Sequence, residues 1–158
     1  MSASNKSRLN ITHIGTATAI LEIGGVNFLT DPFFSPAVRG MRPWETITDY
    51  EFSGDTVWIP ELAEIRNKYH VLAAVLNLGG AHAPHVLDME GPEINITMDG
   101  KQGARALREI GADVLVPMHF AEWGHFKQHG KELREAFEAE GIMDKVRWLT
   151  RGRPVRIY

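Results

Sequence analysis

An α/β fold is what this sequence predicts, and three observations predict it. The chain opens with consecutive short stretches of strand character broken by turn residues. It then alternates short apolar runs with helical spacing, the arrangement in which helices cover a sheet. Finally, Asp55 and His119 each stand just past the end of a strand-like run, where a sheet presents side chains at its edge.

Leu9-Asn10-Ile11-Thr12-His13-Ile14 alternates apolar and polar side chains, as a half-buried strand does. His13 is read on the polar phase of that strand, as a structural histidine. Gly15-Thr16 reads as a turn, Ala17 to Ile23 as a second strand, Gly24-Gly25 as a tight hairpin turn and Val26 to Thr30 as a third strand. Phe33 to Tyr50 carries prolines and aromatics without a period and reads as a loop. A strand over about Tyr50 to Ser53 leads into Gly54-Asp55-Thr56. Pro60 opens a helix running to about Tyr69, being tolerated in a first turn. Val71 to Leu76 is continuously apolar, as expected of a strand buried on both faces. It ends at Asn77-Leu78-Gly79-Gly80-Ala81, whose glycines let the backbone approach a ligand or a turn closely, and His82 through Pro92 reads as a loop. Ile94-Asn95-Ile96 is predicted as a short edge strand. Thr97 or Asp99 caps a helix to Ile110, with Ala104, Leu107 and Ile110 inward and Gly111 ending it. Val114-Leu115-Val116 returns to the sheet. Lys131 to Glu140 is an amphipathic helix with Leu133, Ala136 and Phe137 on one side. Val146 to Leu149 and Val155 to Ile157 are predicted as the last strands.

Composition narrows the function classes. The 158 residues are 44% hydrophobic, enough for one core in one domain over 9–158, behind a polar leader at 1–8. A formal net charge of -3 gives no basic footprint for nucleic acid or an anionic membrane. Absence of cysteine removes disulfides, thiolate metal sites and cysteine nucleophiles, and fits a reducing, cytoplasmic setting. No apolar run reaches membrane-spanning length, and the leader has no apolar signal segment.

The chemistry is carried by few residues. A carboxylate at Asp55 and an imidazole at His119, brought to neighbouring strand ends, suit a borderline divalent metal such as zinc, with manganese and iron equally open. The alternative is an Asx-type turn at Asp55 and a strand-end filler at His119. His82 and His85 lie three apart but are broken by Pro84, which argues for loop histidines rather than a shared ligand pair. In Ala121-Glu122-Trp123-Gly124-His125-Phe126, Trp123 offers an apolar pocket wall and His125 an anion contact or a proton carrier. Core packing of Trp123 with a solvated His125 is the other reading.

Several motifs occur together and in one order: His13-Ile14-Gly15-Thr16-Ala17-Thr18, Leu29-Thr30-Asp31-Pro32, Ser53-Gly54-Asp55-Thr56, Thr97-Met98-Asp99 and Val116-Pro117-Met118-His119. The set resembles the metallo-β-lactamase-fold hydrolases, on the branch of ascorbate-phosphate lactonase and N-acyl-phosphatidylethanolamine phospholipase D. His119 through Phe126 resembles a bacterial and fungal subgroup of that branch. The resemblance implies an αββα sandwich, a small-molecule ester, lactone, amide or phosphodiester substrate, and a divalent metal. On the matching positions, Asp55 would be the bridging aspartate, His119 the last histidine ligand and Asp31 a supporting residue.

The family also carries a His-x-His-x-Asp-His motif and a further histidine between the Thr-Asp-Pro and Gly-Asp-Thr motifs. This chain has no histidine from Pro32 to Asp55, as if a family block were lost near residues 43–50. The implied sandwich is incomplete, with exposed apolar surface that favours a homo-oligomer. A catalytic zinc site needs three protein ligands and an open position, so Asp55 and His119 would need help from His82, His85, His125 or a partner chain. The expectation is therefore a metal-dependent hydrolase by descent that is weakly active or inactive. A non-catalytic relic of the fold serving as a binding or scaffold module, or a non-functional shortened product, is the alternative.

Overall fold

A computed structural model describes residues 8–15, 18–23, 26–30, 50–52, 54–83, 94–121 and 124–157. Strands β1 (Leu9–Gly15), β2 (Thr18–Ile23) and β3 (Val26–Thr30) form the expected antiparallel meander. Nine strands are described in all, and the last, β9 (Pro154–Arg156), pairs with the other side of β1, giving the order β3-β2-β1-β9. Leu9, Ile11, Ala19 and Leu21 form the inner face and are buried. Asn10 and Glu22 lie on the outer face, where Asn10 Nδ2 donates to Glu22 Oε2 at 3.1 Å. His13 pairs with the buried Ala19 and shares the phase of Leu9 and Ile11. It thus stands on the core-facing phase, not the polar one, because Thr12 takes the outward position and the alternation breaks only after His13. The predicted Gly24-Gly25 turn and the Phe33–Tyr50 loop, apart from Tyr50 itself, lie outside the described residues.

The second sheet is parallel: β4 (Tyr50–Phe52), β5 (Ala73–Asn77) and β8 (Val114–Met118), in the order β4-β5-β8. Every residue of β5 and β8 is buried, as a sheet covered on both faces requires. Ala73, Val75, Val114, Val116 and Met118 pack on the inner face of the meander. Ala74, Leu76 and Leu115 point the other way, into a helical layer. Pro117 is accommodated because β8 is the last strand of its sheet, where a missing N–H breaks the fewest ladder bonds.

That helical layer holds a 3-10 helix (Pro60–Asn67), α1 (Gly100–Ile110) and α2 (Gly130–Ala139). Among the described residues the layers therefore run helices, parallel sheet, antiparallel sheet, and the helices lie on one side. None of these helices is long and apolar enough to cross a membrane. α1 is the best-specified element. The Asp99 carboxylate accepts from Gln102 N at 2.7 Å, Gln102 Oε1 accepts from Asp99 N at 3.1 Å, and Gly111 ends the helix at φ 77°. Asp99 rather than Thr97 is the cap; the buried Thr97 hydroxyl instead accepts from Ala81 N and donates to Leu78 O. At α2, His129 N donates to Glu132 Oε2 at 3.1 Å. Glu132's own backbone N–H, followed by that of His129, holds its carboxyl below the usual range.

Three local expectations are corrected. Pro60–Asn67 is 3-10 rather than α-helical, with Leu62 N bonded to Ile59 O and Lys68 N to Ile65 O. Leu62 is its one buried residue, so it has a single core anchor rather than an α-helical stripe. The stretch from Val146 to Leu149 is not a strand; Val146 makes an isolated bridge to Leu115. Beyond it Trp148 stacks against Phe120 and Phe137, at 5.8 and 6.0 Å, so ring packing replaces ladder pairing. His82–Ala83 (β6), which the sequence suggests is loop, is a strand, and it pairs antiparallel with the expected short strand at Ile94-Asn95 (β7).

Asp99→Ala removes one side of the α1 cap and should lower unfolding free energy by about 1 kcal/mol in urea titration. Because the Glu132 carboxyl is lowered in the fold, its contribution is complete above the unfolded-state carboxyl range and is lost as pH falls through the folded value. Glu132→Gln should accordingly lower Tm slightly in the neutral region and flatten the acid limb, so that the variant and native Tm-against-pH curves converge at low pH.

Candidate functional site

Three adjacent parallel strands end in polar side chains at one edge of the sheet. Asp55 comes after β4, Asn77 is the last residue of β5, and His119 immediately succeeds β8. Ligands of open parallel sheets bind outside such carboxyl ends. His119 Nε2 lies 3.7 Å from Asp55 Oδ1, so the two residues singled out by sequence do converge. Asn77, 1% exposed, donates Nδ2 to the same Asp55 oxygen at 2.9 Å. By sequence alone Asn77 only opens a stretch whose glycines let the backbone approach a ligand or a turn, and is not singled out. A signal for its place does exist there: a polar residue closes an otherwise apolar run, shortly before two glycines.

Local backbone sets these positions. Gly54 has φ 56°, a left-handed conformation that swings the chain off β4 and leaves the Asp55 side chain 48% exposed. His119 has φ 52°, and among the described residues no other non-glycine residue has a positive φ. Such a conformation costs about 1–2 kcal/mol and persists only where the surroundings hold it. Here the buried Phe126 ring meets the His119 ring edge-on at 5.1 Å, and the side chain is 13% exposed.

Phe126 is itself locked to the loop after β5. The Gly79 carbonyl accepts from both Lys127 N and Gln128 N, at 2.9 and 3.0 Å. A Cβ on Gly79, at φ 96°, would lie 2.8 Å from Phe126 Cδ1 and 3.1 Å from the Phe120 backbone. Gln128 Oε1 in turn accepts from Gly100 N at 2.7 Å, tying this loop to the start of α1.

The other candidates fall less centrally. His125 is exposed and rests on the Phe126 ring at 4.8 Å, so both imidazoles share one aromatic support. His82 lies in β6, where its Nδ1 is 2.8 Å from Gly80 O. Asp31, His85 and Trp123 lie outside the described residues.

A divalent ion is tested here by donor chemistry and spacing. Two donors about 2.1 Å from one ion stand about 3.0 Å apart at a right angle and about 3.6 Å apart at 120°. The 3.7 Å between a carboxylate oxygen and an imidazole nitrogen fits two such positions. Among the described residues, however, no group of three or more His, Asp or Glu side chains comes together to complete a site.

Gly79→Ala should cost about 2–4 kcal/mol of stability, from the left-handed strain and the forced shift of Phe126. Urea unfolding measures the loss. The His119 ring resonances should shift with it, since Phe126 is their edge contact.

Several known proteins similar to this chain are hydrolases in name. No family model matches the chain. A UPF0173 metal-dependent hydrolase of Methanosphaerula palustris is 24% identical over 134 residues, 85% of this chain. The chain spans about half of that curated relative, 53% of its length. A solved metallo hydrolase of Ignicoccus hospitalis superposes with TM-score 0.64 at 15% identity, covering 94% of this chain and 98% of that one. An isothiocyanate hydrolase from Delia radicum gut bacteria is 29% identical over 64% of this chain and 36% of its own, with TM-score 0.50. A Thermotoga maritima protein assigned to the metallo-β-lactamase superfamily matches at TM-score 0.50 and 17% identity, covering 82% of this chain and 86% of that one. The sheet arrangement and these superpositions agree: the chain has the metallo-β-lactamase fold.

Proposed function

We propose that this protein is a metal-dependent hydrolase of the metallo-β-lactamase superfamily by descent, with weak or no hydrolytic activity of its own. The observation that carries the reading is the carboxylate–imidazole pair of Asp55 and His119, 3.7 Å apart at the ends of β4 and β8. Similarity to proteins named metal-dependent hydrolases supports the descent.

Asp55 and His119 are the residues that would hold a divalent ion: zinc, manganese or iron. When bound, such an ion polarises a scissile carbonyl or phosphoryl group and lowers the pKa of water. The chain's own contribution is to fix His119 through Phe126 and Asp55 through Asn77, leaving Asp55 half-open to solvent. Two ligands hold an ion less firmly than the three of a catalytic zinc site. The missing histidines between Pro32 and Asp55 support the further reading that a ligand-bearing block is lost near residues 43–50. Substrates are small esters, lactones, amides or phosphodiesters. Isothiocyanates belong in the same screen, because one similar solved structure is an isothiocyanate hydrolase. Asp31 is assigned a supporting role at the site, and Trp123 with His125 a substrate wall.

Metal content of the purified, untagged chain by inductively coupled plasma mass spectrometry tests this, beside the double variant Asp55→Ala, His119→Ala. Substoichiometric metal in the native chain that disappears in the variant is the expected result. Metal at trace level in both would overturn the metal reading and leave a non-catalytic relic of the fold.

A further inference from the structure

We infer that Asn77 is the third donor of the strand-end site, so that Asp55, Asn77 and His119 together hold one divalent cation. The inference rests on the reading of Asp55 and His119 as a ligand pair, and goes beyond it by assigning a ligand that no histidine or carboxylate supplies.

The placement carries the argument. Asn77 ends β5, the central strand of the parallel sheet, between the strands that deliver Asp55 and His119. Its register partner is Met118, the residue before His119. Its amide lies 2.9 Å from Asp55 Oδ1, and His119 Nε2 lies 3.7 Å from that same oxygen. Donors about 2.1 Å from one ion stand about 3.0 Å apart at 90° and about 3.6 Å apart at 120°. Each separation falls within the range of donor–donor edges about an ion, and Asp55 Oδ1 is common to the two.

The amide serves this role by turning over. Its oxygen and nitrogen ends have nearly the same shape, so rotation about the last side-chain bond exchanges Nδ2 for Oδ1 at one position. A carboxylate oxygen attracts the donor end, as the 2.9 Å contact shows. A cation on that carboxylate would attract the acceptor end. The side chain is 1% exposed, so its Cγ is already placed and little freedom remains to be lost on binding. The buried amide already meets the edge site through its bond to Asp55 Oδ1, the kind of polar contact that burial of an amide requires.

The donor set is one carboxylate oxygen, one amide oxygen and one imidazole nitrogen. It carries a single negative charge, one fewer than a site with two carboxylates, and affinity should respond strongly to charge at position 77.

Mn2+ titration followed by electron paramagnetic resonance tests this on the full chain, comparing native protein with Asn77→Leu and Asn77→Asp. The expected results are at least tenfold weaker binding for Asn77→Leu and at least tenfold tighter binding for Asn77→Asp. A second readout separates ligation from mere support of Asp55: with asparagine 13C-labelled, Zn2+ should shift the Asn77 Cγ resonance. If the native chain binds Mn2+ and Asn77→Leu, folded by circular dichroism, binds it equally, Asn77 is no ligand while the Asp55–His119 reading stands. Should Asn77→Leu fail to fold, an Asn77→Asp chain that binds no more tightly than native overturns the inference. An unmoved Cγ signal with Zn2+ bound does the same. Absence of Mn2+ and Zn2+ binding by the native chain overturns the ligand-pair reading and this inference together.

Discussion

The central position of β5 is the constraint on which the rest of this structure depends. It pairs in parallel with β4 on one side and β8 on the other, and each of its residues is buried. Its side chains alternate between two cores: Ala73 and Val75 meet the meander, Ala74 and Leu76 meet the helices. A strand that must satisfy both faces cannot slip by one residue without exchanging its two sets of contacts. That fixed register aligns Phe52 with Val75, and Asn77 with Met118. The polar residues at the three strand ends are therefore brought together by apolar packing deep in the sheet, rather than by their attraction for one another. Asp55 and His119 at 3.7 Å are a consequence of the core.

The loop leaving β5 converts that alignment into a rigid edge. The Gly79 carbonyl takes two amides from the segment after Phe126, and the Thr97 hydroxyl joins Leu78 to Ala81. Gln128 then closes on the start of α1. The segment after His119 is thus tied to the loop after β5 at Gly79 and to the start of α1 at Gly100. The brace explains how a histidine can be kept in a left-handed conformation, which an unsupported loop would relax. It also explains the glycine at position 79, where any Cβ would strike Phe126.

Legibility in the sequence divides along the same line between local and long-range contacts. The meander is readable from the alternation in Leu9 to Ile14, and α1 from its cap and terminal glycine, because each is fixed by local chemistry. The metallo-β-lactamase fold is readable from ordered motifs, and Asp55 with His119 from their places after apolar runs. His13 defeats the reading because a polar side chain suggests solvent, whereas β pairing puts it opposite the buried Ala19. The strand expected from Val146 fails for a tertiary reason: Trp148 finds Phe120 and Phe137, and no single-sequence period reports ring packing across the fold. Asn77 escapes notice because in sequence it only opens a glycine-bearing stretch that suits either a ligand or a turn. Its role emerges only when β4 and β8 are placed on either side.

Metal binding and hydrolysis are separable in such a site. Binding needs donors at the right spacing, and the strand ends provide an oxygen and a nitrogen of suitable type. Hydrolysis needs in addition a group that takes a proton from water while a substrate is held in line. Asp55 is the one carboxylate of the strand-end cluster among the described residues, and a carboxylate engaged as a ligand is poorly available as a base. His119 would be engaged in the same way by an ion, and His125 rests on the Phe126 ring with its side chain in solvent. The same side chains cannot both hold the ion and serve the proton transfer. The edge itself is maintained by the core of β5, whose two faces are both buried, and so does not depend on any chemistry carried out there.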